Sequence, residues 1–146
     1  MQSIKQFQND EKRIYASVVS EPRQGLLMDI WSGQYKTKAE CKQVLDYSLS
    51  SLSEYNLVCW LSDISQLEEI FQGNTSSLEN DVFNQLLLSP LKKLAVIKKG
   101  RDVKNADKII QVFIRAGIEV KQFSTSIHAM QWLLQSLKKQ QSVSLV

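Results

Sequence analysis

The chain is short of the residues that carry most covalent and metal chemistry. Its 146 residues include one histidine, His128, and two cysteines, Cys41 and Cys59. At these spacings they cannot supply the ligands of a zinc site, so no metal is expected. Cys41 falls on a predicted helix and Cys59 in a predicted buried strand. They read as free thiols of a reducing compartment rather than as a disulfide. No histidine-based triad, zinc motif or G-x-S-x-G elbow can be assembled. The five glycines form no phosphate loop, since Gly100-Arg101-Asp102 has one glycine where a P-loop or dinucleotide fingerprint needs several. Glu68 and Glu69 are adjacent in sequence and so do not converge on one substrate. No apolar stretch approaches the roughly 20 residues of a membrane span. The first residues, MQSIKQFQNDEKR, lack the apolar core of a signal peptide. The expectation is a cytoplasmic protein that is not an enzyme and carries no cofactor.

What remains is an ordinary globular composition, 43% hydrophobic and 23% charged, sized for one domain with one core. The charge is unevenly spread. Residues 1–91 carry 7 basic and 12 acidic side chains, a net of −5, and residues 92–146 carry 11 basic and 3 acidic, a net of +8. Such a division suits two solvated surfaces, an anionic partner or head-to-tail contact between subunits.

The chain alternates short apolar runs with amphipathic helical stretches, the cadence of an open α/β sheet. Strands are predicted at 13–20, 26–32, 57–62, 93–98 and 118–123. The first two form a hairpin through Glu21-Pro22-Arg23-Gln24-Gly25. Thr37 and Glu40 have capping-box spacing ahead of a helix with Cys41, Leu45, Leu49 and Leu52 on one stripe. Leu57-Val58-Cys59-Trp60-Leu61 is apolar throughout, as in a parallel strand buried on both faces. Asp63 and Ser65 are placed to cap a short helical turn. Ser76 and Glu79 form a second capping box before a helix that Pro90 ends. Val103, Ala106, Ile110 and Phe113 mark a third helix closed by Gly117, and Thr125 caps the last one. Leu45, Leu49, Cys59, Val96, Ile110 and Phe113 are the expected core. Residues 1–12 read as a loose arm, 13–137 as one domain and 138–146 as a flexible tail.

Right-handed crossovers between neighbouring parallel strands place their helices on the same face of the sheet. The other face then lacks a full helical layer. Alternation separates Leu26, Met28 and Ile30 from Leu27, Asp29 and Trp31, and Val58 and Trp60 from Cys59. One set covers the helices and the other forms a partly open surface with Trp31 and Trp60, large aromatics that would favour a partner, a ligand or a second subunit unless the N-terminal arm or a loop covers them. Asp63 lies just past a strand end, where open α/β sheets place their sites. Lys98, Lys99, Arg101, Lys104 and Lys108 gather around the start of the third helix, where a small anionic group would be attracted. The patch has no interleaved aromatics, so nucleic acid is not expected.

A leading hairpin followed by repeated β-α units resembles the anti-sigma-factor-antagonist (STAS) superfamily and its lipid-binding CRAL-TRIO-like relatives. The chain is most similar to bacterial stand-alone STAS-like proteins. The stretches that carry the resemblance are Leu26 to Gly33, Trp60-Leu61-Ser62-Asp63, Leu91 to Val96, and Phe123 through Ala129 to Trp132-Leu133. It implies a five-stranded mixed sheet, a leading hairpin with three β-α units, and helices mainly on one face. It also implies a non-enzymatic interaction module that binds a protein partner or itself as a homodimer, or else a small-ligand or lipid binder with a pocket between sheet and helices. The antagonist branch is switched by phosphorylating a serine in an Asp-Ser-Ser-Gly-type motif. This chain has Gly73-Asn74-Thr75-Ser76-Ser77 there instead, so no phosphosite is expected. The candidate binding residues are Trp31, Trp60, Asp63, Lys98, Lys99 and Arg101.

Overall fold

The computed structural model describes residues 2–33, 37–70, 74–100 and 103–144, with side chains as far as residue 135. The elements run β1 (Ser3–Gln8), β2 (Ile14–Glu21), β3 (Leu26–Trp31), α1 (Lys38–Glu54), β4 (Cys59–Asp63), α2 (Ser76–Leu87), β5 (Lys93–Ile97), α3 (Ala106–Arg115), β6 (Glu119–Phe123) and α4 (Ser126–Ser144). All six strands join one sheet in chain order. β1 and β2, and β2 and β3, pair antiparallel, while β3 through β6 are mutually parallel.

The five-stranded expectation is therefore corrected to six strands, and the three β-α units to four. The sixth strand comes from residues read as a loose arm. Ser3–Gln8 pairs along β2, and a turn that the sequence carries plainly drives the pairing. Asn9 Oδ1 accepts hydrogen bonds from the backbone N–H of Glu11 and of Arg13, both at 3.0 Å. Lys12 takes a left-handed φ of 63° to close the turn. Phe7 is the one buried side chain of β1 and packs edge-on to Tyr47 with ring centroids 5.7 Å apart. A single buried position leaves no alternating pattern to read. At the other end, the backbone of residues 138–144, expected to be a flexible tail, continues α4.

The helix starts show how local chemistry sets boundaries. Thr37 Oγ1 accepts from Glu40 N at 3.1 Å, and Glu40 Oε1 accepts from Thr37 N at 3.0 Å, a complete capping box for α1. The second expected box is corrected. Ser76 is the first residue of α2 rather than its cap. Its N–H donates to Asn74 Oδ1 at 3.1 Å, and Thr75, the cap position, donates its hydroxyl to Glu79 Oε2 at 2.7 Å. The short helical turn expected after Asp63 is a single hydrogen-bonded turn, Leu67 N–H donating to Ile64 O at 3.0 Å, that does not continue as a helix. Asp63 Oδ1 accepts from the N–H and the hydroxyl of Ser65, and the chain then bridges Glu69 to Lys104. Gly117 closes α3 with a φ of 87°, as a left-handed terminator should.

The sheet has one helix-rich face and one sparse face. α1, α2 and α3 pack over Leu27, Trp31, Trp60, Leu94 and Val96 to make the larger core. α4 lies on the opposite face through Ala129 and Leu133, over Leu26, Cys59, Leu61, Ala95 and Ile97. All six expected core residues, Leu45, Leu49, Cys59, Val96, Ile110 and Phe113, are buried. The three helices that link parallel strands share one face, as same-handed crossovers between neighbours require.

Candidate functional site

β3 carries a carboxylate between apolar neighbours, Leu26-Leu27-Met28-Asp29-Ile30-Trp31. Strand alternation puts Leu27, Asp29 and Trp31 on the helix-rich face, and Asp29 is only 1% exposed. A buried charge needs hydrogen-bond donors, and the next strand supplies them. Trp60 Nε1 donates to Asp29 Oδ2 at 2.5 Å, and Ser62 Oγ donates to Oδ1 at 2.6 Å. The Trp31 side chain adds a third hydrogen bond. The parallel register explains the convergence, since Leu27 stands beside Trp60 and Asp29 beside Ser62. Burial pushes the Asp29 carboxyl up from 3.8 to about 6, the three donors oppose that rise, and the nearby charge of Asp63 adds to it.

These groups border a cavity of about 50 Å³ between the sheet and the helices. Its walls are Trp31, Trp60, Leu94 and Val96 from the sheet, Cys41 and Leu45 from α1, Ile109, Ile110 and Phe113 from α3, and Ile64, Leu67 and Ile70 from the segment after β4. Asp29 and Ser62 are its polar points, and no basic side chain lines it among the described residues. Apolar walls with a few convergent polar groups are the ordinary build of a small-molecule site. Its place towards the C-terminal ends of parallel strands is where open α/β sheets bind ligands. The space is well below the ~150 Å³ that admits benzene in an engineered core, which leaves no room for an acyl chain.

The structure distributes the six candidate residues rather than gathering them. Trp31 and Trp60 are 6% and 2% exposed, so the open aromatic face is corrected: both rings lie under the helices. The alternation was real, but the set containing the tryptophans faces the thicker layer, where a Trp60–Phe113 edge-to-face pair at 5.4 Å fills the interior. Asp63 sits on the opposite side of the same strand end, half-buried, and holds the Ser65 turn. It pairs with Ile97, so Lys98 follows at the same end of the sheet, with Lys99 exposed beside it. Arg101 lies outside the described residues. Lys104 Nζ is 3.9 Å from Glu69 Oε1, and α3 begins with Asp107 in its first turn and no side-chain cap from Asn105. That helix start is no assembled anion cradle. His128 Nδ1 lies 2.9 Å from Thr125 Oγ1 at the start of α4.

Asp29 was missed as a site residue, although its signal was legible: a carboxylate inside an otherwise apolar strand demands partners. Cys41 lines the cavity while Cys59 belongs to the core under α4, so the two thiols lie on opposite faces and form no disulfide. Burial pushes the Cys59 thiol up to about 11. Among the described residues no group of three His, Cys, Asp or Glu side chains could hold a metal ion, and no helix is long and apolar enough to cross a membrane.

The second candidate surface is the sparse face of the sheet. On this face α4 covers β4 to β6 and Leu26 at the start of β3, and among the described residues no helix covers β1, β2 or the far end of β3. In register there, Ile4 stands beside Val19 and Val19 beside Met28. Ile30 follows one step along, and Ile4 and Ile30 are 61% and 52% exposed. Compared with protein-family models, with curated proteins and with solved structures, the chain has no significant match.

Proposed function

We propose that the chain is a non-enzymatic, cytoplasmic, STAS-like interaction module of the bacterial stand-alone type, which binds a protein partner or a second copy of itself. The observation that carries this reading is the pair of exposed isoleucines, Ile4 and Ile30, beside half-buried Val19 and Met28 on the part of the sheet face that α4 leaves open. Sheet faces with exposed apolar side chains next to a covered half are natural contact surfaces, because a partner completes the missing layer. The topology supports the same reading: antiparallel strands β1 to β3 lead into parallel strands in simple chain order, with the linking helices on one side. The test is a paired measurement on wild type and an Ile4→Glu/Ile30→Glu variant, with circular dichroism confirming that both fold. Sedimentation reports self-association, and affinity capture from the host reports a foreign partner. Association of the wild type that the variant loses supports the proposal. A wild type that is monomeric and captures nothing, or a variant that associates equally well, ends it.

A second reading is favoured by one specific observation, the cavity over Asp29. On that reading the protein binds a small ligand between sheet and helices. A lipid is disfavoured by the cavity's size, and a small anion by the acid that borders it.

A further inference from the structure

The cavity joins three features that point to one ligand chemistry. It is bordered by a carboxylate that is 1% exposed. Its aromatic walls include Trp31, Trp60 and Phe113. No basic side chain lines it among the described residues, and the nearby charge of Asp63 is a like charge that raises the Asp29 carboxyl further. A carboxylate in low dielectric is stabilised most by an opposite charge placed against it, and three neutral donors supply only part of that. Two oxygens offer about four acceptor sites. Trp60, Ser62 and Trp31 account for three of them, which is capacity for one more donor on a carboxylate that borders the cavity. Aromatic rings attract cations through their negative faces. An anion would meet the carboxylate head-on, and a neutral apolar molecule would leave it without a counter-charge.

We propose that the cavity between β3, β4, α1 and α3 is a binding site for a small organic cation, an alkylammonium group of one or two carbons, held by the Asp29 carboxylate and the surrounding aromatic rings. This rests on the second reading above and adds the ligand's charge and size. The ammonium donates to Asp29 while its short carbon tail occupies the apolar part of the cavity. The size limit follows from the roughly 50 Å³ of space. Binding needs an ionised acid, so affinity falls about tenfold for each pH unit below the carboxyl's value of about 6. Among the described residues the other titratable groups near Asp29 are Asp63 at the end of β4 and the Cys41 thiol from α1. α3, β5 and the segment from Ile64 to Ile70 present only apolar side chains to the cavity.

The experiment is a titration of the full chain followed through the indole N–H resonances of Trp31 and Trp60. The probes are methylammonium and ethylammonium chloride, with ethanol as the neutral match and acetate as the anionic one. The expected result is a saturable shift of both indole signals with the two ammonium ions, at least tenfold tighter than with ethanol and absent with acetate. Below about pH 6 the ammonium response should weaken, and Asp29→Asn should abolish it. Should that variant fail to fold, the pH series and the ethanol comparison on the wild type decide alone. Equal affinity for ethanol and ethylammonium overturns the charge assignment while leaving a small-ligand pocket in place. No response to ammonium ions or ethanol overturns the pocket reading and this inference together.

Discussion

The two faces of the sheet are built on different terms. On one, three helices cover the strands and seal a carboxylate, two tryptophans and a small cavity beneath them. On the other, a single helix covers β4 to β6 and the start of β3 and leaves Ile4 of β1 and Ile30 of β3 exposed. The covered face buries most of the apolar area and so carries most of the folding free energy. It also carries a cost, because Asp29 is kept out of water. The open face contributes little to stability where it is bare, and residues there are free to serve association. The buried carboxylate and the cavity therefore belong to one side, and the exposed isoleucines to the other.

The sharpest way to break this comparison is to truncate the covered face. Phe113 packs edge-on to Trp60 and lines the cavity. Phe113→Ala should lose about 3–5 kcal/mol in urea denaturation. A loss under about 1 kcal/mol would mean that the covered face does not hold the fold together.

The next largest effect is the pH dependence of Asp29. Its folded value of about 6 lies above the ordinary 3.8, so the folded state binds the proton more tightly than the unfolded chain. The stabilising contribution is full below 3.8, declines between 3.8 and 6, and is lost above 6. About two units correspond to about 3 kcal/mol. Wild type measured against Asp29→Asn at pH 4 and pH 8 should show a relative loss of that order at the higher pH. A flat difference would place the carboxyl in water.

A smaller effect separates two helix starts on the covered face. Thr37→Ala removes the α1 capping box and should cost about 1 kcal/mol. Ser76→Ala, at the first residue of α2, should cost less than half of that, since Asn74 and Thr75 make the contacts there. Thermal denaturation of the two variants side by side checks the order.

The smallest effect is expected on the open face. Ile30→Thr keeps a β-branched side chain on a strand and should change stability by no more than about 0.5 kcal/mol. Its mark should be on association instead. A loss comparable with that of Phe113→Ala would show that the bare strip is covered in the folded monomer.

Local pattern by itself determined the strands from residue 14 to 123, the Thr37 capping box, the Gly117 terminator and all six core positions. Each rests on spacing that a handful of neighbouring residues carry, namely period-two apolar runs, three- and four-residue stripes, and cap chemistry. Two-residue alternation also separated Leu27, Asp29 and Trp31 from Met28 and Ile30. Alternation cannot say which set faces the thicker layer, because that depends on where helices from distant sequence come to lie. Only the tertiary structure decided that Trp31 and Trp60 are interior, and it did so by packing α1 and α3 against them. β1 escaped for a related reason: an edge strand with one buried side chain is held by backbone pairing to β2, which leaves no periodic mark. The partners of Asp29 are likewise a matter of register. A lone carboxylate in an apolar strand announces that it needs donors, but Trp60 and Ser62 become those donors only when a parallel strand brings residues 31 and 33 positions away alongside it.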